Sequence, residues 1–550
     1  MRRNSHGGID SGFTTHTLMR IPSLLLMVAG LVVSIFAYFT LRVLIDMLSR
    51  MLRSSKEAHL TRNLHASRSY DEWRMNAERM NKLSSGHSWR SMFLSCDSFQ
   101  KDLEEAISHL RQARKSGDCI QISRNLVRYL NSPVTSRAFR MRYHRKSWIG
   151  SKKSIEAYIS ELVDSITVLT GMIPNDPESA VVAREILYSN SFGKSALCLS
   201  GGGTIGLQHM GVLKALAEQN VVPRILSGTS AGSIVAAAYC VRTAEEVERD
   251  FEPPLMFSRY QALWNSWPDR LHRLVTKGYM FDQDHWRTAL GEFTLGDTTF
   301  VEAYTRTGKV LNISTTARNT NINFNYLTSP NVVISSACIA SCAMPTFFGT
   351  PVIYEKESGT GNLKAVQMES YADGSLAGDV PAVELGCLFG VRFVVTSQVN
   401  PHITPFLFFK HGEPGDPVCL PNTHRGGLIL SALEGFLKRQ MQGILRMIRQ
   451  SELELTNTFK ISDVYLQNFH GNVTLWNTNA YIRKAMGCLD KLKSETEYNW
   501  WIEEGQRMTW PKIRYIQSRM LIEQALFELE RAMQIKPHEH ESKSDLYTSL

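Results

Sequence analysis

Ser230 stands between two glycines in Gly228-Thr229-Ser230-Ala231-Gly232. A nucleophilic serine on a sharp strand-to-helix turn needs this G-x-S-x-G spacing, because the turn leaves no room for a Cβ two residues to either side. The serine then stands at a helix N-terminus, where backbone N–H groups and the helix dipole favour developing negative charge. A second turn lies upstream, Ser200-Gly201-Gly202-Gly203-Thr204-Ile205-Gly206. Gly201, Gly202 and Gly203 offer backbone donors with no side chains in the way, which suits an oxyanion hole for the tetrahedral intermediate of an ester. The two turns together predict acyl transfer through Ser230.

Gly201, Gly203 and Gly206 also fit G-x-G-x-x-G. A dinucleotide site wants an acid about 20 residues on, at the end of the second strand. That strand ends here in Ser227-Gly228-Thr229-Ser230, with no acid, and no Gly-Lys-Ser/Thr follows the glycines as a P-loop requires. A nucleotide is therefore set aside, and no cofactor or metal is expected. Two ordinary tight turns would leave the clustered glycines and the serine without a reason.

Short apolar runs at 196–199 and 225–226 have the length of buried strands, and helical patterns follow at 207–216 and 233–240. Strand, glycine turn, helix, twice over, implies a parallel α/β sheet. Further strands are expected at 309–315, 322–326 and 391–397, with a mostly helical insertion at 244–291. Residues 332–350, small and apolar, read as core or as an acyl-pocket lining. The extended run 368–375 stops at Asp373-Gly374, and an acid at a strand's C-terminal end is where such sheets collect catalytic groups. Asp379, six residues later, competes for that role. His402, His411, His424 and His470 all follow Asp373, so chain order also permits a Ser–acid–His triad.

A chain of 550 residues is expected to form two or three domains. The net charge of +9 suits an anionic surface, and with no nucleic-acid module recognisable, a membrane is the better partner. Nine cysteines include no C-x-x-C pair, as expected of reduced thiols. Residues 21–41 carry no charge and would span about 31 Å as a helix, enough for one transmembrane pass. Arg42, Arg50, Arg53, Lys56 and Arg62 follow it and place the catalytic part in the cytosol. A hairpin around Gly30 is the alternative. Residues 69–172 read as helical, with Arg137, Arg140, Arg142 and Arg145 either a membrane-surface patch or a solvated face. Residues 427–448 carry an apolar stripe with Lys and Arg interspersed, as a core-facing helix or an interfacial lid. A helix at 513–535 begins after Pro511.

The glycine turn at 200–206, the elbow at 228–232 and Asp373-Gly374, in that order, resemble the patatin-like phospholipase family. Ser69-Tyr-Asp-Glu-Trp73, Arg124-Asn-Leu-Val-Arg128, the run 296–303 and Ser341-Cys-Ala-Met-Pro345 are similar to its triacylglycerol-lipase branch from fungi and plant seeds. Ile205 and Ser375 depart from the family's usual Arg or Lys and Ala or Gly. The resemblance implies a modified α/β-hydrolase sheet and a Ser–Asp dyad: Ser230 the nucleophile, Asp373 the base, Gly201 to Gly203 the oxyanion hole, Gly228 and Gly232 the elbow. The resemblance covers roughly 70–470; together with the apolar N-terminal run and the polar end of the sequence, the expected organisation is a membrane anchor over 1–60, a helical domain over 61–190, the catalytic domain over 191–400, a helical extension over 401–535 and a tail over 536–550. The branch is linked to acyl transfer through H-x4-D. His411 with Asp416 and His540 with Asp545 match that spacing, which a loop and a polar tail produce by chance. The expected protein is a membrane-associated serine acyl hydrolase of triacylglycerol at the endoplasmic reticulum or a lipid droplet. Phospholipid or lysophospholipid hydrolysis on the same site and a non-catalytic lipid-droplet scaffold are the alternatives. The oligomeric state is not legible.

Overall fold

A computed structural model describes residues 11–51, 54–84, 86–92, 98–173, 177–189, 191–317, 320–344, 346–357, 359–366, 371–373, 378–401, 403, 413–417, 427–450, 465–477 and 490–533. The chain forms two compact units, one of residues 1–53 with 419–467 and one of 54–418 with 468–550.

The larger unit is built on one mixed sheet. Its strands are β1 (Lys194–Leu199), β2 (Ile225–Thr229), β3 (Val310–Ala317), β4 (Thr320–Phe324), β7 (Tyr371–Asp373), β8 (Val391–Ser397) and β9 (Val473–Leu475), ordered β4-β3-β2-β1-β8-β9. A separate hairpin pairs β5 (Ile353–Lys356) with β6 (Leu363–Val366). Strands β3, β2, β1, β8 and β9 run parallel, so their C-terminal ends share one edge, while β4 and β7 run antiparallel to β3. The central strands are buried on both faces, which explains why they read as short continuous apolar runs instead of alternating ones.

The N-terminal helices of this unit pack around Leu103, Leu110, Ile122, Leu126 and Tyr158, and that core also takes Ile522, Leu526 and Leu529 from the long helix Glu495–Ala532. The long helix crosses the helix Gln208–Ala217 at two glycines. A Cβ on Gly211 would lie 2.0 Å from the Ile502 carbonyl oxygen, and one on Gly505 2.1 Å from that of Gln208. The sequence suggested a fresh start after Pro511, yet the helix runs through it. Proline costs the bond its N–H would make to the carbonyl four residues back. Buried Trp510, Ile513 and Ile516 hold the helix in place despite that loss.

The arginine cluster divides: Arg140 and Arg142 are exposed, as a solvated face would have them, while part of the run is used in packing. Arg137 lies over the Phe99 ring and bonds Asp102, Arg142 lies over Tyr143, and Lys152 Nζ donates to the carbonyls of Trp89 and Met92. Asn312 of the sequon Asn312-Ile313-Ser314 is buried in β3 and bonded to Ser227 and Asn323, closed to glycosylation in the folded chain.

In the smaller unit one helix covers Ser11–Met51, and Pro22–Ile45 within it is long and apolar enough to cross a membrane. The helix Gly427–Gln450 packs against it, so the apolar stripe seen at 427–448 meets this helix. The tail 536–550 lies outside the described residues.

Gly505→Ala should lower stability by about 1–3 kcal/mol through the forced helix separation. Gly171→Ala, with open space around its Cβ, should be neutral or stabilising by up to about 1 kcal/mol. Thermal unfolding of the two variants in detergent checks both signs.

Candidate active site

β2 ends at Thr229, and the chain turns at Ser230 straight into the helix Ala231–Cys240. Ser230 has φ 51° and ψ −124°, a conformation costly to a side-chain-bearing residue and characteristic of a strained elbow. The turn persists because its surroundings hold it. Ser230 N–H donates to Ser341 Oγ at 2.8 Å, and Ser341 Oγ in turn donates to the Ser314 carbonyl at 2.6 Å. The Ser230 carbonyl accepts from Ser233 N–H and Oγ. A Cβ at Gly232 would lie 2.2 Å from the Leu199 carbonyl oxygen, and one at Gly228 2.5 Å from that of Gly232. Both elbow glycines are thus demanded by contact. Ser341 opens the run Ser341–Pro345 that carries part of the resemblance, but only its neighbourhood in space reveals its role.

The glycine turn after β1 is pinned by the end of β8. Asp379 is buried and accepts from Gly201 N–H at 3.0 Å, Gln398 Nε2 at 2.9 Å and Asn400 Nδ2 at 2.8 Å. Its backbone carbonyl accepts from Thr229 Oγ1. Ser200 Oγ accepts from Val399 N–H at 2.8 Å. His209, fully buried, bridges Ser397 Oγ and the Ser200 carbonyl. Gly201 was expected as an oxyanion donor, but its amide is spent on Asp379. Gly202 and Gly203 make no amide bond among the described residues, and both line the space in front of Ser230. Gly202 fits because a Cβ there would meet the Val399 carbonyl at 2.9 Å. Asp379, flagged as a rival to Asp373, is occupied as the brace of this turn.

Asp373 is the last residue of β7 and pairs with Thr315 of β3. Thr315 also pairs with Ile322 of β4, so β7 must lie on the edge of β3 that β2 uses. Thr229 of β2 pairs with Ser314, one residue earlier on β3. Asp373 therefore fills the slot beside Thr315 that β2 would reach at Ser230. The backbone register brings the two predicted residues together, although they are 143 positions apart (373 minus 230). Gly374 and Ser375 lie outside the described residues. So do His402, His411, His424, His540 and Asp545, which leaves only Asp416 of the H-x4-D pairs described, while His470 is exposed ahead of β9.

A cavity of about 240 Å³ opens at Ser230. Its walls include Met210, Ile234, Trp264, Phe281, Phe347 and Phe348, and none of the described residues lining it is charged. The helical insertion supplies Trp264 and Phe281, and the small, apolar segment after β4 supplies Phe347 and Phe348. Among the described residues no cluster of ligating side chains could hold a metal.

A cavity with aromatic walls in front of a serine on a strained strand-to-helix turn is the arrangement of a serine acyl hydrolase. Residues 197–385 match the patatin-like phospholipases, and residues 50–185 match a domain of unknown function. Triacylglycerol lipase ptl2 of Schizosaccharomyces pombe is 33% identical over 96% of this chain and 85% of its own. A patatin-like phospholipase domain-containing protein of Yarrowia lipolytica is 33% identical over 92% of this chain and 62% of its own. Its counterpart in Debaryomyces hansenii is 32% identical over 95% and 68%. Among solved structures, VipD of Legionella pneumophila is similar over 60% of this chain and 67% of its own, at 12% identity and a TM-score of 0.28. The chain belongs to the patatin-like phospholipase family and is a lipid ester hydrolase.

Burial holds the His209 and His144 pKa values down at about 4. Between pH 6.5 and about 4 the unfolded chain binds protons that the folded chain refuses. Stability is therefore complete above pH 6.5 and falls as pH drops through that window, by up to about 1.4 kcal/mol per pH unit for each site. Melting curves at pH 7 and pH 5 should show the loss, and His209→Gln should shrink the difference between them.

Proposed function

We propose that the protein hydrolyses triacylglycerol through a Ser230–Asp373 dyad at a membrane or lipid-droplet surface. Asp373 takes the Ser230 hydroxyl proton as Oγ attacks the ester carbonyl. The Gly202 and Gly203 amides stabilise the oxyanion, and the proton passes to the leaving diacylglycerol oxygen. Water, activated by Asp373, then attacks the acyl-serine and releases fatty acid. The observation that carries the choice of substrate is that no cationic side chain is among the described residues lining the cavity. A phospholipid head group would need a cation or a row of donors beside the scissile ester. A triacylglycerol needs only apolar walls. The named activity of the Schizosaccharomyces pombe relative points the same way. The apolar run Pro22–Ile45 supplies the lipid attachment.

The dyad reading rests on the register that sets Asp373 beside the end of β2 and on the exposed, loop-borne position of His470. Ser230→Ala should reduce triolein hydrolysis by on the order of 10⁴-fold or more without unfolding the protein. Asp373→Asn should match it. His470→Ala, and alanine at His402, His411 or His424, should each cost less than about tenfold. Initial rates on emulsified triolein against phosphatidylcholine vesicles check both substrate and residues. A preference for the phospholipid, or one histidine whose loss equals that of Ser230, would refute the corresponding half of the proposal.

A further inference from the structure

The apolar N-terminal helix and the helix Gly427–Gln450 run antiparallel within one unit. Arg42, its side chain fully buried, bonds the Tyr38 hydroxyl and pairs with Glu434 at 2.6 Å. Lys438 reaches Glu434 at 3.3 Å and lies over the Tyr38 ring. Further along, a Cβ on Gly30 would touch Ile444 Cδ1 at 3.9 Å. At about 1.5 Å per residue, Arg42 to Gly30 spans about 18 Å and Glu434 to Ile444 about 15 Å, so the helices stay in step.

That register carries a conflict. Arg439 and Arg446 lie within about 10 Å of the level of the middle of the run Pro22–Ile45. Arg439, Gln442, Arg446 and Arg449 are exposed on the side of their helix turned away from the N-terminal helix. If the pair stood upright in a bilayer, both guanidinium groups would sit inside a hydrocarbon half-thickness of about 15 Å, facing lipid. Laid flat, the pair has no such conflict. Ile429, Leu433, Phe436 and Met447 form one exposed apolar flank about a third of a turn round the helix from the arginine arc, and the N-terminal helix exposes Leu25, Leu26, Val32, Val33 and Phe36. An apolar flank backed by a basic arc is the pattern of a helix that lies in a lipid interface.

We propose that these two helices form one interfacial unit lying in the plane of a phospholipid monolayer over neutral lipid. The apolar flanks point into the lipid, and Arg439, Arg446 and Arg449 sit at the level of anionic head groups. The Arg42–Glu434 pair holds the second helix on the first. A monolayer-coated particle has no second aqueous side for a spanning helix to reach, whereas a flat pair needs only one. This proposal rests on the reading that the protein works at a neutral-lipid surface.

The test uses the full chain with an N-terminal tag bearing an Asn-x-Thr acceptor. It is translated with endoplasmic-reticulum microsomes and, separately, offered to triolein droplets coated with phosphatidylcholine and phosphatidylserine. The expected result is flotation with both, with the tag unmodified. A glycosylated tag would mean that the helix crosses the bilayer, which overturns the flat pair while leaving lipid attachment standing. Failure to float with either would overturn both. Replacing Arg439, Arg446 and Arg449 by Glu together should weaken binding to these droplets by tenfold or more. Cleavage of a water-soluble short-chain ester should stay unchanged. Undiminished droplet binding by that variant would remove the arginine arc from the head groups.

Discussion

The close approach of the elbow to the end of β1 is the constraint on which the site depends. The Leu199 and Ser200 carbonyls crowd Gly232, and the Gly232 carbonyl crowds Gly228, so no side chain can enter at either position. This contact sets Ser230 in its strained conformation and stacks the glycine turn after β1 beside the turn after β2. Gly206, whose Cβ would meet that of Ala231 at 2.7 Å, lets the helix after the first turn close on the elbow. A strained residue persists only where its surroundings over-determine it. Ser341 and Ser233 complete that here by taking up the polar groups of Ser230's own backbone.

Around this pair of turns the polar groups are arranged to spare the substrate side. Asp379 is buried, and its carboxylate is answered by Gly201, Gln398 and Asn400, so its charge is spent on fixing the loop. Buried carboxylates are costly unless hydrogen-bonded in this way. His209 is held neutral at ordinary pH and ties the end of β8 to the turn after β1. Among the described residues, the cavity is lined by Ser230, Gly202, Gly203 and mostly apolar walls, with Asn400, Tyr260 and Tyr498 the polar side chains besides the serine. Such a surface suits an ester flanked by hydrocarbon.

The sheet and the elbow were legible because they rest on local rules. The apolar runs at 196–199 and 225–226, each followed by a glycine-bearing turn and a helical pattern, admit few other readings, and Val391–Ser397 was read to the residue. The register that sets Asp373 beside the end of β2 was not readable, because β7 has only three residues and its partner lies more than fifty positions away. Ser341 was seen as part of a family-like run, but its bond to the Ser230 amide, 111 positions away, was hidden for the same reason. The helix through Pro511 and the partner of Gly427–Gln450 were missed because tertiary packing overrides propensity. Of the arginines at 137–145, Arg137 could not be read as packed because its partners Phe99 and Asp102 lie more than thirty positions away.

Covalent trapping tests the central claim most directly, that an uncharged ester meets Ser230 as the nucleophile in this cavity. The intact protein would be treated with a long-chain p-nitrophenyl alkylphosphonate, a neutral mimic of the tetrahedral intermediate, and the adduct mapped by peptide mass spectrometry. The account predicts one phosphonylated residue, Ser230, with labelling suppressed by competing triolein. An adduct on another residue, or an unmodified Ser230 in inactivated protein, would contradict it.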